Sequence, residues 1–150
     1  MGGAMNAQET TIDALVEDFG YLDDWEDRYR YVIELGKTLP GLTPAEHNEA
    51  TKVRGCASQV WLVSKIVGNG EKRIVFRGDS DAHIVRGLIA ILLTLYSGRT
   101  PQEIVNLDPE AVFRRIGLRE HLTSQRSNGL SSMVARIRSD AIAALNAVTA

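Results

Sequence analysis

Near the amino terminus, apolar residues recur every three or four positions: Ile12, Leu15, Val16 and Phe19, then Trp25, Tyr29, Val32, Ile33, Gly36 and Leu39. This spacing predicts two amphipathic helices. The acidic pair Asp23-Asp24 opens the second helix, where carboxylates complement the helix dipole, and Pro40-Gly41 ends it. Thr43-Pro44-Ala45-Glu46 joins a capping hydroxyl, a proline at the first helical position and a glutamate three residues past the cap. A short helical turn before Thr51 is predicted there.

The period changes to two at Gln59. Val60, Leu62, Ser64 and Ile66 fall on one face of a strand ending at Val67, with Trp61, Val63 and Lys65 on the other. Gly68-Asn69-Gly70 has turn chemistry and Arg73 to Arg77 alternates again, so the pair predicts an antiparallel hairpin. Gly78-Asp79-Ser80-Asp81 is expected to end the hairpin and cap the next helix, which runs to about Ser97-Gly98. That helix is apolar nearly all round from Gly87 to Tyr96, which predicts that it is the centre of the core. Thr100-Pro101-Gln102-Glu103 repeats the capping box, Asp108-Pro109 starts a further short helix and Gly117 stops it. Leu130, Met133, Val134, Ile137 and Ala141 mark a long terminal helix, entered through the polar stretch Ser124 to Asn128. Helices before and after one small antiparallel sheet give the class α+β.

Length and composition narrow the function. The chain has 150 residues and is 44% hydrophobic, which suits one domain with a substantial core. We expect residues 1–11 to be a disordered or cloning-derived amino terminus, Met1 to Ala4 being leftover sequence, and 12–148 to be a single domain. A net charge of -2 without blocks of like charge favours neither nucleic acid nor an anionic membrane. The apolar run from Gly87 to Tyr96 is too short to span a bilayer, and no secretory signal is visible. A cytoplasmic location is expected. One cysteine excludes an internal disulfide and suits a reducing compartment.

That cysteine, Cys56, lies in Lys52-Val53-Arg54-Gly55-Cys56-Ala57-Ser58-Gln59, a loop before the first strand. A free cysteine is commonly an inert buried hydrophobe. Here Gly55 lets the backbone turn, and Lys52 and Arg54 offer positive charge to a thiolate, so inert and reactive readings stand level. A persulfide formed on a lone thiol has no second thiol in the chain to discharge it, which suits a carrier. The rival is a thiol-dependent hydrolase pairing Cys56 with His47, His83 or His121, and the spacing selects none of them. Asp79-Ser80-Asp81-Ala82-His83 has metal-ligand residue types, but helix capping accounts for them better, and no phosphate-binding glycine loop is present. Asn128-Gly129 is poor helix material, a sign that something besides stability selected the stretch from Ser124 to Leu130.

Taken together, Gly55-Cys56-Ala57-Ser58-Gln59-Val60-Trp61, then Gly78-Asp79-Ser80-Asp81-Ala82 with Ile84-Val85-Arg86-Gly87-Leu88-Ile89, then Arg126-Ser127-Asn128-Gly129-Leu130 resemble the SufE family. Ile33-Glu34-Leu35-Gly36 and Pro101-Gln102-Glu103-Ile104-Val105 also resemble it, so the likeness spans roughly Leu22 to Ala144. Ala57 departs from it, family members often having a polar residue there. The resemblance implies an α+β fold shared with the iron-sulfur (IscU-like) scaffold proteins, with Cys56 at a loop tip and no cofactor or metal. It implies that Cys56 accepts persulfide sulfur from a partner cysteine desulfurase (SufS-like), which carries the pyridoxal phosphate. Cys56 would then stimulate that enzyme and deliver sulfur to a downstream cluster scaffold, with no independent turnover. A scaffold role for this chain is set aside, because one cysteine cannot hold a cluster. Gly55, Asp79, Ser80, Asp81 and Arg126 are expected to dock the partner or support the loop. The Leu88 to Leu95 helix with Val60 and Leu62 is expected to shelter the thiol. A monomer or weak homodimer is expected, and an inert binding module is the third reading.

Overall fold

The computed structural model describes residues 7–149, so the leftover-sequence reading of Met1 to Ala4 lies outside the described residues. In chain order the elements are α1 (Ala7–Tyr21), α2 (Trp25–Gly36), a 3₁₀ turn (Pro44–Glu46), β1 (Val60–Val67), β2 (Arg73–Ser80), α3 (His83–Tyr96), α4 (Pro101–Asn106), α5 (Pro109–Ile116), a second 3₁₀ turn (Arg119–His121) and α6 (Ser124–Thr149). This is an α+β architecture. The capping side chains sit where the sequence puts them: Asp24 accepts from the Asp27 N–H at 2.9 Å, Thr100 from the Glu103 N–H at 3.1 Å, and Asp108 from the Glu110 N–H at 3.1 Å. The left-handed Gly117 closes α5.

The hairpin is antiparallel, with Val60 opposite Ser80, Leu62 opposite Gly78 and Ile66 opposite Ile74. Val60 and Leu62 are buried, whereas Ile66, on the same face, is 49% exposed. α3 is the centre of the protein: it packs against α1, α2, α6 and β2, and Leu88, Ile89, Ile91, Leu92, Leu95 and Tyr96 are fully buried. α2 crosses it closely at Gly87, where an added Cβ would lie 2.1 Å from the Val32 carbonyl oxygen.

Three expectations are corrected. Asp79, Ser80 and Asp81 do not cap α3 in the usual way: the strand continues through Ser80, and the N-cap Ala82 has no side-chain bond to give. Asp81 and Ser80 bond Gln59 and Asp79 meets His47, although Asp79 also accepts from the Ser80 N–H and Ser80 Oγ from the Ala82 N–H. α2 ends at Gly36, before Leu39 and Pro40, and α6 begins at Ser124 with Asn128 and Gly129 inside it. The low helix propensity of Asn128-Gly129 is overridden there by tertiary contact with the Cys56 loop.

Candidate functional site

Cys56 lies on the connection between the first 3₁₀ turn and β1, and α6 runs beneath it. Gly55 turns the chain at φ +89°, a conformation suited to glycine, and an added Cβ would also lie 2.5 Å from Ser132 Oγ. The turn aims the half-buried Cys56 side chain inward, where Sγ donates to the Gly129 carbonyl at 3.6 Å. Beside the thiol is a cavity of about 320 Å³ lined by Cys56, Ala57 and Ser58 from the loop, Val85 and Leu88 from α3, and Arg126, Gly129 and Met133 from α6. Thr123, Ser124 and Gln125 complete its polar side at the start of α6. Of the residues expected to shelter the thiol, Leu88 does line this space, while Val60 and Leu62 face the core instead.

Burial pushes the Cys56 thiol above its ordinary pKa. The basic flanks do not offset this, which corrects the reading of Lys52 and Arg54 as thiolate stabilisers. The Arg54 guanidinium turns outward to Glu49 at 3.0 Å, both side chains being exposed. The resting thiol is therefore protonated and sheltered near neutral pH.

The loop's ends are fastened. On its entering side the Val53 N–H donates to the Val60 carbonyl and the Leu62 N–H to the Thr51 carbonyl, each at 2.8 Å. On its leaving side Gln59 is held twice: its N–H donates to Asp81 Oδ1 at 3.0 Å, and its carbonyl accepts from Ser80 Oγ at 2.6 Å. Asp79 stands behind them, with His47 Nε2 3.2 Å from one oxygen and Arg86 Nε 3.3 Å from the other. Among the expected site residues, the structure thus brings Gly55 and Arg126 to the thiol, and it puts Asp79, Ser80 and Asp81 at the foot of the loop.

The three histidines go elsewhere. The His47 ring lies between Asp79 and the Thr43 carbonyl, His121 stacks on Trp25 at 4.1 Å, and His83 is exposed at the start of α3. None lines the cavity. Among the described residues no group of three or more His, Cys, Asp or Glu side chains converges as a metal site, and no helix is long and apolar enough to cross a membrane.

Two arginines escaped the sequence reading. Arg136 of α6 donates to the Ala50 carbonyl at 2.7 Å and to the Lys52 carbonyl at 3.1 Å. Arg119 binds Glu110 through Nε at 2.9 Å and reaches Ser127 Oγ at 2.7 Å and Ser131 Oγ at 2.9 Å, so it ties the first turns of α6 to α5. Their partners are backbone atoms or hydroxyls distant in sequence, which leave no periodic signal. Helical spacing from Gly129 through Ser132 to Arg136 would have put the latter on the loop-facing side of α6, had the helix been traced back to Ser124.

A search of solved structures finds the same fold in the solution structure of a hypothetical protein from Thermus thermophilus, with a TM-score of 0.72 over 91% of this chain and 96% of that one, at 21% identity. An uncharacterised SufE-like protein of Rhizobium meliloti is 54% identical over 133 residues, covering 88% of this chain and 95% of its own. An uncharacterised SufE-like protein of Rhizobium etli is 59% identical over 132 residues, covering 87% of this chain and 89% of its own. The profile of the SufE family, described as an Fe-S metabolism associated domain, matches residues 13–141. With its fold, its full-length relatives and its family profile in agreement, the chain belongs to the SufE family and its role lies in iron-sulfur metabolism.

Proposed function

We propose that Cys56 accepts sulfur from the persulfide of a partner cysteine desulfurase and carries it toward cluster assembly. The observation that carries this reading is the setting of the single thiol: on a glycine-hinged loop, half-buried, beside a cavity larger than the thiol itself. In the step, the Cys56 thiolate attacks the outer sulfur of the desulfurase persulfide. A new sulfur-sulfur bond forms on Cys56, the old one breaks, and the desulfurase thiolate leaves. The proton from Cys56 passes to solvent or to that leaving thiolate. No oxidant is consumed, because the sulfane sulfur is only handed over. A thiol on the next acceptor attacks the outer sulfur in the same way and frees Cys56.

The raised pKa of the resting thiol supports the further reading that the loop tip turns outward on docking, since a buried thiol attacks slowly. The surface of Gly55, Asp81 and Arg126 then faces the desulfurase, with Arg126 at the cavity wall near the transferred sulfur, while the buried Ser80 and the Asp79 behind it support the loop from its foot. This chain acts as an accessory protein without turnover of its own. The test is desulfurase activity on free cysteine with parent or Cys56→Ser added. Stimulation by the parent and none by the variant is expected; full stimulation by Cys56→Ser would overturn the proposal.

A further inference from the structure

The loop bearing Cys56 is fastened to α6 along one face of that helix, and the fastenings are unequal. At the tip, Ser132 Oγ donates to the Gly55 carbonyl at 3.4 Å and Cys56 Sγ donates to the Gly129 carbonyl at 3.6 Å. Both are neutral and long. One turn farther along, the Arg136 guanidinium holds two carbonyls, Ala50 at 2.7 Å and Lys52 at 3.1 Å, and its Nε lies 3.3 Å from Asp140 Oδ1 on the next turn. These bonds are charge-assisted and the arginine side chain is mostly covered, at 27% exposure. The stretch from Arg54 to Ser58 lies between a firmly held entry and the Gln59 clamp, and only weak bonds hold it down.

We infer that Arg136 is a positioning residue for sulfur acceptance: by fixing the Ala50 and Lys52 carbonyls on α6, it anchors the end from which the Cys56 tip departs and to which it returns. The inference rests on the reading of Cys56 as the sulfur acceptor. With the anchor intact, the tip leaves as a short hinged segment and Cys56 settles back beside its cavity. Without it, the entry keeps only its backbone bonds to β1, from the Val53 N–H to the Val60 carbonyl and from the Leu62 N–H to the Thr51 carbonyl, and its loosened hold on α6 exposes the thiol more often.

The test compares the parent, Arg136→Met, Arg136→Lys and Ser132→Ala in the free protein. Readouts are the rate and pH profile of Cys56 alkylation by a small neutral maleimide, with hydrogen exchange over residues 50–56. Arg136→Met keeps the apolar stem and removes every donor. It is expected to label faster on the order of tenfold, the population change set by a lost hydrogen bond to a charged group. Its profile should move to lower pH, and amides 50–53 should lose protection. Arg136→Lys, which can reach one carbonyl, should fall between. Ser132→Ala should leave protection of 50–53 unchanged. Parental labelling and profile in Arg136→Met would overturn the inference. Should that variant fail to fold, Arg136→Lys decides: labelling faster than the parent's supports the anchor and a parental rate overturns it. Sulfur uptake by the parent from a desulfurase is measured alongside. A parent that takes no sulfur defeats the acceptor reading, whereas uptake by the parent with unchanged labelling in Arg136→Met defeats the anchor alone.

Discussion

Replacing Gly129 by alanine separates stability from function at this site. Gly129 lies inside α6, and glycine there costs the helix about 0.8–1.0 kcal/mol relative to alanine. An added Cβ would meet Cys56 Sγ at 3.7 Å and the Cys56 Cα and Cβ at 3.9 Å, all ordinary contact distances, so no steric penalty offsets the gain. Gly129→Ala should therefore be more stable by about 1 kcal/mol, which raises Tm by about 2–4 °C for a chain of this size. The same methyl group occupies room beside the thiol. An outer sulfur must sit about 2.05 Å from Sγ, so the methyl narrows the space open to a persulfide, and sulfur uptake should fall while stability rises. Calorimetry and urea unfolding with an unchanged m-value measure the first effect, and uptake from a loaded desulfurase measures the second. A loss of stability would show that the loop packs on α6 more tightly than these distances state. Unchanged uptake would show that the glycine is not there to house sulfur.

Three further outcomes follow from the packing and charge. Gly87→Ala puts a Cβ 2.1 Å from the Val32 carbonyl oxygen at the α2–α3 crossing, and the forced shift should cost about 1–3 kcal/mol, read as a lower urea midpoint. Arg119→Met removes the bonds to Glu110, Ser127 and Ser131 and should cost about 1–3 kcal/mol, with faster amide exchange in the first turns of α6. The Arg77 guanidinium, with the Thr43 N–H, holds the Glu46 carboxyl down to about 2 from an ordinary 4.5. A depressed carboxyl stabilises the fold fully above pH 4.5 and loses that effect as pH falls through about 2, so the stability gap between parent and Glu46→Gln should close across that window. A gap that widens toward low pH would contradict the pairing.

Elements whose signals are local were legible in the sequence. Asp24, Thr100 and Asp108 cap helices with bonds to residues two or three positions on, and the period-two run opening at Val60 is a strand. Asp79, Ser80 and Asp81 misled because helix starts use the same residue types. Besides local bonds to the Ser80 and Ala82 N–H groups, they have partners far along the chain: Gln59 holds Asp81 and Ser80, and His47 meets Asp79. The start of α6 was missed for a related reason. Gly129 is a poor helix former, and what keeps it helical is contact with Cys56, distant in the chain. The thiol itself was legible as a candidate. Its protonated, sheltered state was less so, since Lys52 and Arg54 read as activating until Arg54 is seen to face Glu49.

The most direct test of the central claim is the mass of the Cys56 peptide after one turnover. A cysteine desulfurase is loaded with persulfide by free cysteine, freed of excess cysteine, and mixed with the parent protein. The sample is then alkylated and digested without reductant. The account predicts that the peptide carrying Cys56 gains the mass of one sulfur atom while the desulfurase cysteine loses it, and that Cys56→Ser gains none. A desulfurase that keeps its persulfide in the presence of the folded parent, or one that discharges it equally to Cys56→Ser, would contradict the account.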